Sequence, residues 1–216
     1  MDSVLTAAAV TGSTSNADRG VRLVTSVALI VNASEAFGPD VTEWAGDICS
    51  KGTSTRHILH VVNGTAPAVR GVSEALERGE FFRIVQAVCG LGFFVCEHAL
   101  FLSLVKPTSL LRLDSHEWTR RAARFMVVNY IISVSQALVR FAQAVRKGAE
   151  DAFDRALDVS TSTLELCVAL TRSQIMPDLL SSLRIGFIGL YVSSVYLWFE
   201  ARRERERLHG KTSKGA

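Results

Sequence analysis

The residues from Phe81 to Val105 form an almost wholly apolar stretch, FFRIVQAVCGLGFFVCEHALFLSLV. Its charged side chains are Arg83, near the start, and Glu97, with His98 beside it. At about 1.5 Å per residue, a helix of this length covers the ~30 Å of a bilayer hydrocarbon core. The stretch has no wide polar face, which a surface helix of a soluble domain would show. It therefore predicts a transmembrane helix. A buried core helix is the alternative, because Glu97 at mid-span costs roughly 2.5 to 3.5 kcal/mol.

A second apolar stretch runs from residue 179 to residue 199 and reads LLSSLRIGFIGLYVSSVYLWF. Its one charged side chain, Arg184, lies near its start. A basic tail over residues 200–216 follows at once, with six basic and three acidic side chains. This arrangement predicts a second span that ends at a charged stop. Small residues within it are suited to close helix approach: Gly186, Gly189, Ser193 and Ser194.

The composition supports a helical protein and excludes several function classes. Of 216 residues, 48% are hydrophobic and only 21% are charged, and strand-like alternation is absent. The fold class predicted is all-α, a helical integral membrane protein with two spanning helices plus amphipathic helices. The net charge of +3 is too small for a nucleic-acid footprint. No enzyme, nucleotide or zinc motif occurs, so we expect no catalysis, no cofactor and no metal.

Residues 54–78, ahead of the first span, predict an amphipathic helix. Its narrow apolar seam follows helical spacing: Ile58, Val62, Val69, Val72 and Leu76. We expect the seam to insert into a membrane interface or to pack on neighbouring helices, and both readings stay open. Lys51 to Ser54 predicts a break before this helix, and Gly64 with Pro67 predicts a division within it. His57 and His60 have no carboxylate near them in sequence and read as solvated side chains.

Residues 106–178 predict a loop that contains a second amphipathic helix, 120–147. Asp114 is its candidate cap, and Glu117 follows three residues later. The helix carries two regular stripes, one apolar and one polar, which favour an amphipathic helix over a third crossing. The polar stripe is Asn129, Ser133, Gln136, Arg140, Gln143 and Lys147. The predicted order is an N-terminal helical region 1–80, span 81–105, loop 106–178, span 179–199 and tail 200–216.

Several segments together resemble the peroxin-11 family of peroxisomal membrane proteins. Residues 95–102, VCEHALFL, look like the family's central stretch, in which an acidic residue, here Glu97, precedes a Leu-x-aromatic-Leu pattern. Phe101 stands where the family usually has tryptophan. Residues 186–198 resemble its closing Gly-x-x-Gly…Ser-Ser…Trp segment, and residues 120–125 lie where it has a basic-aromatic segment. The divergent N-terminus suggests the branch of kinetoplastid glycosomal membrane proteins.

The resemblance implies a protein of the peroxisomal (glycosomal) membrane with both termini in the cytosol. It implies a non-enzymatic role in organelle membrane remodelling, elongation and division (peroxisome fission and organelle biogenesis), in which the amphipathic helix 54–78 bends one leaflet. The expected partners are membrane lipid, further copies of the chain in a homo-oligomer, and the organelle-division machinery. No nucleic acid is expected.

The two spans would run antiparallel, which brings Glu97 and Arg184 to similar depths. We therefore expect Glu97 to be paired, with Arg184 as the candidate partner, or else protonated. Two alternative functions remain open. One is a membrane pore for small metabolites, lined by Asn129, Ser133, Gln136 and Arg140. The other is a soluble helical interaction domain.

Overall fold

The computed structural model describes residues 14–34, 36–105, 114–149 and 151–212, and it is all-helical over these ranges. No strand occurs among the described residues, so the predicted all-α class is confirmed. There are six helices in the described part of the chain: α1 (Thr14–Ala33), α2 (Pro39–Arg78), α3 (Phe81–Val105), α4 (Ser115–Lys147), α5 (Ala152–Arg172) and α6 (Ser182–Thr212).

The helices form a closed ring. Each one packs against the next along the chain, and α6 returns to pack against α1. Neighbours run antiparallel, since an ion pair joins Asp18 to Arg56 near one end of α1 while Asn32 contacts Gly46 near the other. Among the described residues no two helix backbones pack against each other across the ring, and α1 reaches α5 only through side chains, Arg22 and Glu165. The ring therefore encloses a central space that only side chains can fill.

The contact between α6 and α1, which closes the ring, depends on a glycine that lets the two helices approach closely. A Cβ atom on Gly186 would lie 3.2 Å from both the backbone nitrogen of Ile30 and the backbone oxygen of Ser26. Such a close approach leaves room for the hydrogen atoms on Cα of Gly186 but not for a side chain. The predicted small-residue surface of this segment is thus used against α1. Farther along α6, Glu200 forms an ion pair of 3.3 Å with Arg19.

Several helix ends follow the local signals of the sequence. The Asp114 carboxylate accepts a hydrogen bond of 2.9 Å from the backbone nitrogen of His116, as expected of an N-cap. Gly79 and Gly148 end α2 and α4 in the left-handed region, with φ of 67° and 60°. Helix α3 has the predicted bounds.

The predicted breaks inside α2 are wrong. The helix runs without interruption through Lys51 to Ser54, and Pro67 lies inside it. Its neighbours explain the difference, because α1 and α3 pack against it and favour continuous helix over the local break signals. Helix α5 lies within the segment 106–178 that was expected to be a loop after helix 120–147, and α6 continues into the predicted tail as far as Thr212.

Three helices, not two, are long and apolar enough to cross a membrane: Phe81–Ser103, Ser115–Lys147 and Ser182–Arg207. The addition is α4, which the sequence indicated as amphipathic only. Much of its apolar stripe faces outward, with Ile131, Leu138 and Val145 about half exposed, whereas Val127 is buried. Only 22%, 11% and 28% of the three apolar windows is buried by the protein itself. Exposed apolar surface on helices of this length is consistent with association with a membrane.

Candidate functional site

The interior of the ring is a polar chamber, a cavity of about 520 Å³ to which all six helices contribute. Its walls carry four arginines, two histidines and three carboxylates, together with the phenol groups of Tyr130 and Tyr196. This distribution is the reverse of a soluble bundle, in which apolar side chains fill the interior. Ionisable groups that the protein partly buries are most stable when they are paired.

Glu97 of α3 is the acceptor at the centre of the largest cluster. Its Oε2 lies 2.7 Å from Nδ1 of His57 and 3.0 Å from Nδ1 of His60. The two histidines are three residues apart and so lie on the same face of α2. The Glu97 side chain is only 5% exposed. A carboxylate can only accept hydrogen bonds, so each Nδ1 carries the shared proton.

His60 lies between two carboxylates. Its second ring nitrogen, Nε2, is 3.3 Å from Oδ1 of Asp18 on α1, while Nδ1 faces Glu97. Burial by itself lowers the pKa of His60, but the hydrogen bonds to Asp18 and Glu97 raise it to about 9. His60 is therefore an imidazolium at neutral pH, with both N–H groups donated to carboxylates.

Two arginines complete the pairing of the remaining carboxylates. Arg56 Nε donates to Asp18 Oδ1 at 2.9 Å, and Arg22 donates to Glu165 of α5. Burial raises the pKa of Asp18, but the hydrogen bonds from His60 and Arg56 outweigh it and hold that pKa well below its ordinary value. For Arg22, burial lowers the pKa and the adjacent Glu165 more than restores it. Each acidic side chain that lines the chamber is thus already paired with a cation.

Arg172 differs from the other cations of the chamber. It is the last residue of α5 and lines the cavity, and part of its surface is open to solvent. No carboxylate in the described part of the chain lies within ion-pair distance of it. Burial lowers the pKa of Arg172, and the neighbouring charges of Arg56 and Arg22 lower it further. The chamber therefore holds a cation without a counter-ion.

The expected partner of Glu97 is replaced by two others. Arg184 is exposed near the start of α6, and the partners of Glu97 are His57 and His60. The reading of these histidines as solvated side chains is also wrong. Both errors have one cause: α2 folds back along α3, which brings together residues 40 and 37 positions apart in the chain.

The apolar seam of α2 faces away from the chamber. Ile58, Val69 and Leu76 are 45%, 54% and 59% exposed, and Val72 is partly buried. The side chain of Val62 lies outside the described part. Because the chamber is on the other side of the helix, at His57 and His60, the seam is part of the outer surface of the ring.

The polar stripe expected to line a pore does not line the chamber. Arg140 is exposed, and Ser133 accepts a hydrogen bond of 3.2 Å from Gln86 of α3. A different face of α4 borders the cavity: Thr119, Ala122, Ala123, Met126 and Tyr130. The stripe and the chamber are separate features of α4.

Sequence reasoning missed Arg22, Glu165 and Arg172 as members of an internal network. A signal was present in two of them, since Arg22 lies in Gly-Val-Arg-Leu-Val and Glu165 in Leu-Glu-Leu. A single charge between apolar neighbours on a helix is a candidate for burial with a partner. Which charges meet could not be read from the chain, because they come from different helices.

Within the described ranges, no group of three or more His, Cys, Asp or Glu side chains is arranged to hold a metal ion. Comparisons with known proteins give no match, whether to a family model, to a curated protein or to a solved structure. The resemblance to the peroxin-11 family therefore stays a prediction.

Proposed function

We propose that this chain is an integral protein of the peroxisomal (glycosomal) membrane that remodels the membrane without catalysing a reaction. The observation that carries the proposal is the outward-facing apolar surface of the ring. Three helices of membrane-crossing length expose most of their apolar windows, and a cluster of nine arginine, histidine and acidic side chains lines the interior. Such a surface is stable when acyl chains cover it.

The remodelling part of the proposal rests on α2. Its seam residues Ile58, Val69 and Leu76 are exposed on the outer surface, and a turn at Gly79 and Glu80 joins the helix directly to α3. Covering a large apolar side chain with lipid stabilises by roughly 1.5 to 3 kcal/mol when burial is complete. An apolar seam held at the edge of a spanning helix would expand one leaflet and favour curvature.

Membrane integration and organelle are tested together by tagging the chain and extracting membranes in alkaline carbonate. We expect the tagged protein to colocalise with a peroxisomal marker and to stay in the carbonate-resistant pellet. Release into the supernatant would contradict integration. If the protein stays in the membrane of a different organelle, the peroxisomal placement is wrong. Lipid would still account for the apolar outer surface of the ring.

Remodelling is tested with protein reconstituted in liposomes. We expect tubulation by the wild-type chain and its loss in the triple variant I58N/V69N/L76N, which makes the exposed seam polar. The matched control is R70Q/E74Q/R78Q, three changes at exposed polar positions of the same helix, and it should tubulate as the wild type does. Equal tubulation by both variants would overturn the role of the seam.

A second candidate, passage of small solutes, is favoured by the chamber. A closed ring of six helices around a polar cavity is an arrangement that can hold a water-soluble molecule within a membrane. Solute release from liposomes should then change in E165Q, which alters the chamber wall, and not in R140Q on the outer polar stripe. Release that neither variant affects would reject this candidate.

A further inference from the structure

We propose that the chamber is a binding site for a phosphate monoester, with Arg172 as the residue that holds the phosphate group. The proposal goes beyond membrane remodelling and does not depend on it. It rests on three observations: the size of the cavity, the balance of charge on its walls, and the position of Arg172.

The cavity is of the size that small molecules occupy. About 520 Å³ falls within the range of roughly 300 to 1,000 Å³ that ligand pockets span. It is bounded by polar as well as apolar groups, and the hydroxyl groups of Thr25, Ser26 and Tyr130 are among those on its wall. A ligand with one charged end and a polar body matches this lining.

The charge balance selects an anion. Of the chamber's cations, Arg19 is paired with Glu200. The other three arginines and the imidazolium of His60 face three carboxylates, which leaves a surplus of one positive charge. A low-dielectric interior does not tolerate such a surplus without a counter-ion. A phosphate monoester is an anion at neutral pH, and it would supply the missing negative charge.

Arg172 is the residue that would bind the anion. The three carboxylates are engaged: Asp18 by Arg56 and His60, Glu97 by the two histidines, and Glu165 by Arg22. Arg172 is the one arginine of the chamber that has no carboxylate partner among the described residues, and it lines the cavity. Arg22 and Arg56 line the same cavity.

A guanidinium suits this ligand better than an ammonium would. Its planar fork of donors binds phosphate through two parallel hydrogen bonds. Arg22 and Arg56 already donate to carboxylates, so they supply charge around the anion while Arg172 supplies free donors. The phosphate group could belong to a soluble ester or to a lipid headgroup, and the same residues would hold either one.

The experiment measures binding of inorganic phosphate to the protein in nanodiscs of phosphatidylcholine, with chloride at equal ionic strength as the reference. We expect phosphate to raise the melting temperature and chloride to have no such effect. Substituting R172Q should weaken phosphate binding roughly tenfold or more, because a charge-assisted bidentate contact is lost. The control R146Q removes an exposed arginine of α4 and should leave binding unchanged.

A second arm replaces part of the lipid with phosphatidic acid, whose headgroup is a phosphate monoester. Stabilisation by phosphatidic acid that R172Q abolishes, with no effect of free phosphate, assigns the site to a lipid headgroup. Stabilisation by free phosphate assigns it to a soluble ligand. Absence of both effects, or effects that R172Q leaves intact, would overturn the proposal.

Variant R172K guards against a folding defect in R172Q. It keeps the charge but loses the fork, so it should bind phosphate more weakly than wild type and remain folded. If R172Q is not monodisperse, phosphate affinity in R172K equal to that of wild type contradicts the proposal, and reduced affinity supports it. A wild-type melting temperature that is the same in phosphate, in phosphatidic acid and in chloride contradicts it without any variant.

Discussion

The stability of the ring should fall as the pH rises through the range in which His60 loses its proton. The groups that face His60 are Asp18 from α1, Glu97 from α3, and Arg56 and His57 on α2 itself. The pKa of His60 is about 9 in the folded protein against an ordinary value of 6.5. The folded state thus holds this proton more tightly than the unfolded state does.

The sign and size of the effect follow from these two pKa values. The contribution is fully present below pH 6.5 and is lost as the pH rises through 9, because the unfolded state releases its proton first. At 1.36 kcal/mol per pKa unit, the free energy of unfolding should fall by about 3 kcal/mol between pH 6 and pH 9.5. His60 is 22% exposed, so solvent screening reduces this value only modestly.

The measurement is guanidinium unfolding in non-ionic detergent, followed by tryptophan fluorescence at both pH values. Wild type should lose about 3 kcal/mol, and H60Q, which cannot titrate, should lose much less. The control H116Q changes an exposed histidine at the start of α4 and should behave as wild type does. An equal fall in wild type and H60Q, or no fall in wild type, would refute the reasoning.

Two further predictions concern packing within the ring. Variant E97Q should lower the free energy of unfolding by about 3 kcal/mol, because removing one member of a buried ionic cluster leaves its partners without an anion; unchanged unfolding in detergent would contradict the pairing. Variant G186A should destabilise by roughly 1 to 3 kcal/mol, since the new Cβ meets the backbone of α1 at 3.2 Å. Its control, G20A, adds a methyl group that meets nothing within 4 Å and should stabilise by up to ~1 kcal/mol; equal melting temperatures for the two variants would contradict the close approach.

The sequence by itself determined the helical class, the bounds of α3 and several helix ends. Asp114, Gly79 and Gly148 act through their own backbone and their immediate neighbours, so local chemistry is enough to place them. The apolar stretches are equally local properties, because length and composition decide whether a helix can cross a hydrocarbon layer. The same local logic failed at Pro67, where packing on both sides of α2 outweighed a break signal.

Only the tertiary structure decided which faces point inward and which charges meet. Glu97 meets His57 across 40 residues because α3 folds back along α2, and Arg22 meets Glu165 across 143 because both side chains point into the interior of the ring. The outward direction of the apolar stripe on α4 was decided in the same way, since periodicity reveals two faces of a helix but not their surroundings. The unpaired state of Arg172 is likewise a property of the assembled ring, because it depends on every carboxylate near it having another partner.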